Sequence, residues 1–253
     1  MGQRGIQSIE VGGALLEALA DHGHALPLKE LAAAAGMSPA KAHPYLVSFG
    51  KLGLIAQDAA SGRYGLGPLA MQLGLISLQQ LDPLALATEA IERLAADVGH
   101  TVAIAVWGGG GATIVRVARP AIAVYVSMRH GTVMSLRGTA SGLLFAAHLP
   151  REQVLAALRA EGGGKSAARI DAGLAATLEQ VRREGLARAP DLLVAGISAL
   201  ATPVFDAGGT LVLALTAIGP SATFDSRVDG PLAERMRAAA AALSARLGHR
   251  GPK

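Results

Sequence analysis

The order of short elements in the first seventy residues is the feature that most constrains the fold of this chain. Apolar residues in Ile6–Leu19 recur at helical spacing, and a second short segment, 28–35, ends at Gly36, where a left-handed backbone is expected. Ser38, followed by a proline, is a typical N-cap for a third helix, which we predict over Pro39–Leu52. A short helix, a glycine turn and a further helix form the pattern of a helix-turn-helix.

A β-hairpin is predicted directly behind the third helix. Leu54–Ala56 and Arg63–Leu66 have strand character, and the segment 58–62 between them has the composition of a turn. An ordinary helical hairpin would account for three short helices, but it would not account for a hairpin in this position. We therefore predict a winged helix-turn-helix domain over residues 1–67 that binds double-stranded DNA.

The third helix is predicted to enter the major groove, with the wing beside it. Lys51 is expected near the phosphate backbone, with a merely solvated side chain as the alternative, and Arg63 is expected to reach phosphate or the minor groove. Phosphate contacts affect affinity more than sequence choice. Tyr45 is predicted to face outward, and the alternative is that it packs on the first helix. The predicted DNA-binding residues are Ser38, Lys41, His43, Tyr45, Ser48, Lys51 and Arg63.

Pro44 is unusual at its place inside the third helix. A proline there removes one backbone hydrogen bond and costs about 3 kcal/mol. The sequence therefore predicts a kink or an irregular start at this point of the helix.

The charge distribution does not by itself indicate DNA binding. The whole chain has a formal net charge of +4, but residues 1–67 contain five basic and five acidic residues. The absence of cysteine excludes disulfides and thiolate metal sites. Because no secretory signal precedes the first helix, we expect a cytoplasmic protein without a membrane association.

Residues 68–82 are predicted to form a linker helix, Leu69–Leu81, with apolar residues on several sides. Such a helix is unfavourable in water, so we predict that it packs against a partner subunit, and packing on its own domain is the alternative. Residues 83–253 alternate between strands and helices, which predicts an α+β domain with the helices on one side of the sheet. The predicted strands are Thr101–Trp107, Ala112–Ala118, Ile122–Met128, Val194–Phe205 and Thr210–Ile218, and the predicted helices are Leu84–Val98, Thr139–Leu149, Arg151–Ala160 and Leu232–Leu247.

The chain lacks the residue patterns of an enzyme. Its seven histidines are scattered, and the glycines at 108–111 are not followed by the Lys-Ser/Thr of a phosphate loop. Ser141 does not stand in a nucleophile elbow. We predict neither catalysis nor a bound metal or cofactor.

Several segments resemble the IclR family of bacterial transcriptional regulators, over nearly the whole chain. The segments that carry the resemblance are Gln7–Glu10, Leu28–Ala32, Gly36–Ser38, Gly62–Gly67, Gly138–Ala146 and Gly196–Asp206. The resemblance implies a GAF-like effector-binding domain, a homodimer or homotetramer, and action at a promoter of catabolic or stress genes. The recognition helix departs from the family pattern, because His43 matches but Pro44 stands where the family has arginine.

The resemblance also implies a site for a small-molecule effector. The residues that match this site are Met128, Leu136, Thr139, Ala140, Ser141, Ser198, Ala199 and Thr216. Relatives that bind small carboxylates often have an acidic cluster before the glycine that matches Gly196, where this chain has only Asp191, and the cysteine common at Ala199 is absent. The start of the Thr139 helix offers N–H groups to an anion. We therefore expect a mostly apolar pocket for an aromatic or other hydrophobic carboxylate.

The sequence thus predicts a ligand-responsive, DNA-binding regulator, acting on a catabolic operon. One alternative is a sensor or adaptor whose winged helix binds protein, which Pro44 and the balanced charge of residues 1–67 favour. A second alternative, an enzyme with an appended regulatory domain, is disfavoured by the missing catalytic residues.

Overall fold

The computed structural model describes residues 5–251 except 110, 122–125, 127, 163–168 and 192–193. The chain divides into two compact units, Met1–Leu81 and Asp82–Lys253. The segment predicted as a linker therefore falls almost entirely within the first unit. In the described part of the chain, no helix is both long and apolar enough to cross a membrane.

The first unit has the predicted order of three helices, a two-stranded hairpin and a fourth helix. Its elements are α1 (Gln7–His22), α2 (Leu28–Ala34), α3 (Pro39–Lys51), β1 (Ile55–Gln57), β2 (Tyr64–Leu66) and α4 (Pro68–Gln80). The two strands are antiparallel, with Ile55 opposite Leu66. Burial of apolar side chains from α1, α2, α3 and the hairpin drives the packing of this unit. The buried core includes Leu15, Leu19, Leu31, Ala42, Leu46, Ile55 and Tyr64.

Local signals determine where α2 ends and α3 begins. Gly36 has a φ of 67°, and the next N–H, from Met37, donates to the carbonyl of Ala32 at 2.9 Å. The Ser38 hydroxyl accepts from the N–H of Lys41 at 3.3 Å and so caps α3. Contrary to the predicted irregular start, α3 runs without interruption through Pro44.

The second unit is a six-stranded antiparallel sheet with helices. Its elements are α5 (Pro83–Val98), β3 (Thr101–Gly108), β4 (Gly111–Ala118), β5 (Val133–Met134), α6 (Ala140–His148), α7 (Arg151–Ala160), α8 (Ala172–Glu184), β6 (Ala187–Pro190), β7 (Ile197–Phe205), β8 (Leu211–Pro220) and α9 (Pro231–Arg246). The strand order is β5-β4-β3-β8-β7-β6. Together with the winged first unit, this mixture of helices and an antiparallel sheet confirms the predicted α+β class.

Helices cover both faces of this sheet, so the prediction that they lie on one side was wrong. Ala103 and Ala201 belong to the apolar cluster beneath α6. The neighbouring Thr202 points the other way and donates from its hydroxyl to the carbonyl of Met236 in α9 at 3.3 Å. Because successive side chains of a strand alternate between faces, α6 and α9 lie on opposite sides. α5 contacts β3 and packs with α9.

The helix α8 and the short strands β5 and β6 were not predicted. α8 carries clear signals, since the Asp171 carboxylate accepts from the N–H of Leu174 at 2.9 Å and Leu174, Leu178 and Val181 are buried at helical spacing. The strand predicted to begin at Val194 begins at Ile197 instead.

The predicted strand Ile122–Met128 lies mostly outside the described residues. Val126 and Met128, which the structure does describe, are not in a strand.

Candidate functional site

The inward side of α3 packs on the body of the first unit. Ala42 and Leu46 are buried, and Tyr45 is half-buried against the same core. A Cβ atom added at Gly12 of α1 would lie 2.9 Å from Cδ1 of the Tyr45 ring, so this ring packs directly on α1. The outward orientation predicted for Tyr45 is therefore wrong, and the alternative packing is the one observed.

The other predicted residues of α3 are exposed and form a positively charged surface. Lys41, His43 and Lys51 are all exposed on this helix. The segment Pro39–Lys51 contains two lysines and no carboxylate, whereas the acidic residues of the first unit lie on α1, on α2 and in the wing. The unit as a whole is balanced in charge, but α3 is locally cationic, which favours contact with phosphate.

Both serines at the predicted interface have intramolecular hydrogen bonds. Ser38 caps the helix, as described above. The Ser48 hydroxyl donates to the carbonyl of Pro44 at 2.9 Å. This bond uses the one hydroxyl hydrogen of Ser48, so its oxygen remains as an acceptor for a base amine.

An apolar stripe, which sequence reasoning missed, occupies the middle of the outward face of α3. Ala40, Pro44 and Val47 are exposed, and Val47 has an exposed fraction of 44%. Their spacing of four and three residues places them along one line of the helix, opposite the buried Ala42. We call these three residues the apolar stripe. The helical spacing of these three apolar residues is the sequence pattern from which the stripe could have been predicted.

The wing is stabilised at its turn by side-chain hydrogen bonds. The Asp58 carboxylate accepts from the hydroxyl of Ser61 at 2.6 Å and from its N–H at 2.7 Å. These bonds from Ser61 hold the pKa of Asp58 below its ordinary value, because they favour the ionised form. Arg63 is exposed and donates from its guanidinium to the carbonyl of Ala25 at 3.2 Å. This bond positions the Arg63 side chain beside the hairpin, with further N–H groups left for a ligand.

The second unit contains a cavity at the N-terminal end of α6. The space that water-sized molecules can occupy in it is about 60 Å³, and all the empty space between its lining atoms, open mouth included, is about 420 Å³. The lining residues are Met128, Met134, Gly138, Thr139, Ala140, Ser141, Ala189, Val194, Ile197, Ala199, Thr216 and Ile218. None of these described lining residues has a charged side chain, and most are apolar, which is typical of a site for a small organic ligand.

Six of the eight predicted effector residues lie together around this cavity. They are Met128, Thr139, Ala140, Ser141, Ala199 and Thr216. Leu136 is instead buried in the core beneath the start of α6. Ser198 is buried, and its hydroxyl lies 2.8 Å from that of Ser221. Sequence reasoning missed Met134 of β5, Val194 in the turn before β7 and Ile197 at the start of β7, together with Gly138, Ala189 and Ile218.

The polar groups of the cavity are concentrated at one end. The hydroxyls of Ser141 and Thr216 lie 2.8 Å apart and are buried. The N–H groups of Ala140 and Ser141 are in the first turn of α6, where no carbonyl of the helix reaches them. A helix N-terminus attracts negative charge, so this end is suited to a carboxylate while the remaining surface is suited to an apolar group.

The turn that leads into α6 is held by residues from outside the cavity. The Glu161 carboxylate accepts from the N–H of Leu136 at 2.6 Å. Arg137 donates to the Asp171 carboxylate at 2.9 Å, and the pKa of Asp171 lies below its ordinary value, first because of the bond from the Leu174 N–H and then because of Arg137. The start of α6 is therefore fixed before any ligand binds.

The turn that precedes β7 is closed by hydrogen bonds within the same unit. Oδ1 of Asp191 accepts from the N–H of Gly196 and from the hydroxyl of Ser221, each at 2.7 Å. Ser221 in turn contacts Ser198. The one acidic residue before Gly196 is thus engaged in this turn, and it does not line the cavity.

Comparison with known families accounts for nearly the whole chain. The IclR helix-turn-helix domain matches residues 8–59, and the bacterial transcriptional regulator IclR C-terminal domain matches residues 76–245. The chain belongs to the IclR family of bacterial transcriptional regulators. The family predicted from the sequence segments is therefore confirmed.

Individual members of the IclR family match this chain over most of its length. The glycerol operon regulatory protein of Streptomyces griseus is 31% identical over 250 residues, which cover 97% of this chain and 98% of that protein. The transcriptional repressor IclR of Escherichia coli K12 is 27% identical over 229 residues, covering 88% of this chain and 84% of the repressor. The crystal structure of Pseudomonas aeruginosa HmgR has a TM-score of 0.88 at 39% identity, and the match covers 98% of this chain and all of that one.

Membership in the IclR family settles the general class of the protein. It is a transcriptional regulator with a helix-turn-helix DNA-binding domain and an effector-binding domain. Its relatives are regulators and not enzymes, as the sequence predicted.

Proposed function

We propose that this regulator controls a catabolic operon and responds to an aromatic or other hydrophobic carboxylate. The observation that carries the proposal is the cavity at the start of α6. Its polar groups lie at the helix N-terminus, and Met128, Met134 and Ile197 are among the apolar residues that line the rest. A small keto acid would leave this apolar surface uncovered, whereas a ring would bury it.

Thermal-shift measurements with a panel of acids test the effector class. We expect the aromatic acids benzoate and phenylacetate to raise the unfolding temperature of the full chain, because a ligand that binds only the folded state stabilises it. At a concentration about 100 times Kd, the stabilisation amounts to about 2.7 kcal/mol. Selective stabilisation by glyoxylate or pyruvate would contradict the proposal.

The DNA interface that we propose is the cationic outward face of α3 with the wing beside it. Lys41, His43 and Ser48 would lie in or along the major groove, and Lys51 and Arg63 would contact phosphates. Ser38 remains near the groove at the start of α3. Tyr45 packs on α1, so we assign it the indirect role of orienting the recognition helix.

Mobility shifts test this interface with DNA from upstream of the regulator's own gene and of neighbouring genes. We expect binding that weakens as salt rises, because each phosphate contact releases counterions. Lys51→Ala should lower the salt slope by about one unit for each protomer bound, so by about two for a dimer, and weaken binding to all sequences similarly. Arg159→Ala, at an exposed position of α7 in the second unit, is the matched control. Equal affinity for specific and random DNA at moderate salt would contradict the proposal.

The exposed apolar side chains of α4 support a homodimer. Met71, Leu73, Leu75 and Ile76 have exposed fractions between 41% and 67%. Side chains of this size on one helix favour burial against a second copy of the chain. We propose a homodimer, with a homotetramer as its larger assembly, and the molecular mass in solution tests this. A protein that acts on the bacterial chromosome is also expected in the cytoplasm.

The adaptor alternative has one observation in its favour, the balanced charge of residues 1–67. In that case the outward face of α3 would bind a protein. The local excess of lysine on α3 makes DNA the better candidate, and the mobility shifts distinguish the two.

A further inference from the structure

The apolar stripe of Ala40, Pro44 and Val47 lies at the centre of the surface that would face the bases. Lys51 continues the same line by a further helical turn, and Lys41 lies beside it. The polar residues of α3 that we propose as DNA contacts therefore lie around the middle of its outward face. The apolar stripe itself forms that middle. A ligand that covers this middle gains most when it offers an apolar surface of its own.

We infer that the apolar stripe recognises thymine methyl groups in the major groove, and that Val47 determines specificity there. This inference rests on the proposed DNA-binding function. Thymine is the base that presents a methyl group in the major groove, at C5. Apolar side chains contact that group favourably, and they offer no partner to the donors and acceptors of the other bases.

The stripe also selects against other bases. Base amines and carbonyls in the groove are hydrated in free DNA. If Val47 covered such a group without a hydrogen bond, the loss of that hydration would weaken binding. Attraction to thymine and exclusion of polar base edges act in the same direction, so a few apolar contacts produce sequence preference.

Local charge favours DNA as the occupant of this surface over an apolar protein partner. α3 contributes two lysines and no carboxylate, and Arg63 of the wing is also exposed. Lys41 and Lys51 lie near the two ends of α3, so cations stand before and after the apolar centre along the helix, where the phosphates that border a groove can meet them. The hydroxyl hydrogen of Ser48 is engaged by Pro44, which leaves the centre of the face with little donor capacity.

The test begins with selection of binding sequences from a random duplex library by the full chain. In the selected duplex, each thymine is then replaced singly by deoxyuracil, which removes only the 5-methyl group. We expect at least one position at which this change weakens binding of the wild type about fourfold, the effect of removing one buried methyl group. Val47→Ala should bind the thymine and uracil duplexes equally well at that position.

The variant Val47→Ala is suited to this comparison because alanine is a stronger helix former than valine and the replaced side chain is exposed. The substitution should therefore leave α3 folded. Val133→Ala, in β5 of the second unit, is the matched control, since Val133 has an exposed fraction of 50%. Val133→Ala should still bind the thymine duplex about fourfold more tightly than the deoxyuracil duplex. If deoxyuracil has no effect at any position, or the same effect in Val47→Ala, the inference is overturned while DNA binding stands. If no sequence is enriched, both the proposed function and this inference fail.

Discussion

Replacing Gly142 with alanine is expected to destabilise the second unit by about 3 kcal/mol or more, the upper range for overpacking. A Cβ atom at this position would lie 2.0 Å from the carbonyl oxygen of Ser135 and 2.7 Å from Cα of Leu136. Both atoms belong to the backbone of the turn that leads into α6, so no side-chain rotation relieves the contact. The turn or the helix must shift, and the cavity shifts with it.

Urea unfolding followed by tryptophan fluorescence measures this effect. Trp107 is the single tryptophan of the chain, and its ring lies 5.8 Å from the ring of Phe145 in α6. Its emission therefore reports the second unit. Gly173→Ala is the matched control near the start of α8, where the added Cβ meets only the flexible Asp171 side chain, at 3.3 Å. An unfolding midpoint for Gly142→Ala equal to that of the control would contradict the expected clash.

Replacing Ala199 with phenylalanine is expected to weaken effector binding by about a hundredfold, which corresponds to about 3 kcal/mol of overpacking. Ala199 lines the cavity from β7, so the added ring occupies space that the ligand needs. DNA binding without effector should be unchanged, because α3 belongs to the other unit. The variant should therefore remain in its ligand-free activity at all practical effector concentrations.

Two measurements on the same preparations check the effect of Ala199→Phe. Isothermal titration with the aromatic acid that stabilises the wild type most gives the affinity, and a mobility shift gives the DNA binding. Ala176→Phe adds the same ring at an exposed position of α8 and should bind the acid like the wild type. If Ala199→Phe retains wild-type affinity, the effector does not occupy this cavity.

The winged first unit was predictable because its boundaries are set by local signals. The Ser38 cap and the left-handed Gly36 act within a few residues, and the Asp58–Ser61 turn closes the wing. The sheet of the second unit depends on distant contacts, and the covering of both its faces was missed. Thr101–Trp107 is an almost continuous apolar run, which is the sequence pattern of a strand covered on both sides, and residues 101–105 are buried without alternation. The covering of both faces was therefore open to prediction at this strand.

The candidate sites were predicted in part, for similar reasons. The resemblance gave the start of α6 and Ala199 of β7, which lie in continuous motifs, and it gave Thr216 of β8. It did not give Val194 or Ile197, whose positions depend on how the turn held by Asp191 folds. The orientation of Tyr45 depends on Gly12, a distant residue in α1 that leaves room for the ring. No local pattern contains that information.

The alanines that face the cavity from the sheet make this regulator a convenient starting point for biosensor engineering. Ala189 of β6 and Ala199 of β7 both contribute only a methyl group to the cavity wall. Alanine and valine codons differ by a single base, so one point mutation reduces the space for the ligand without altering the hydroxyl pair or the start of α6. With the effector in this cavity, as we propose, natural drift and directed evolution would change the preferred ligand size in small steps while the promoter that the protein controls stays the same.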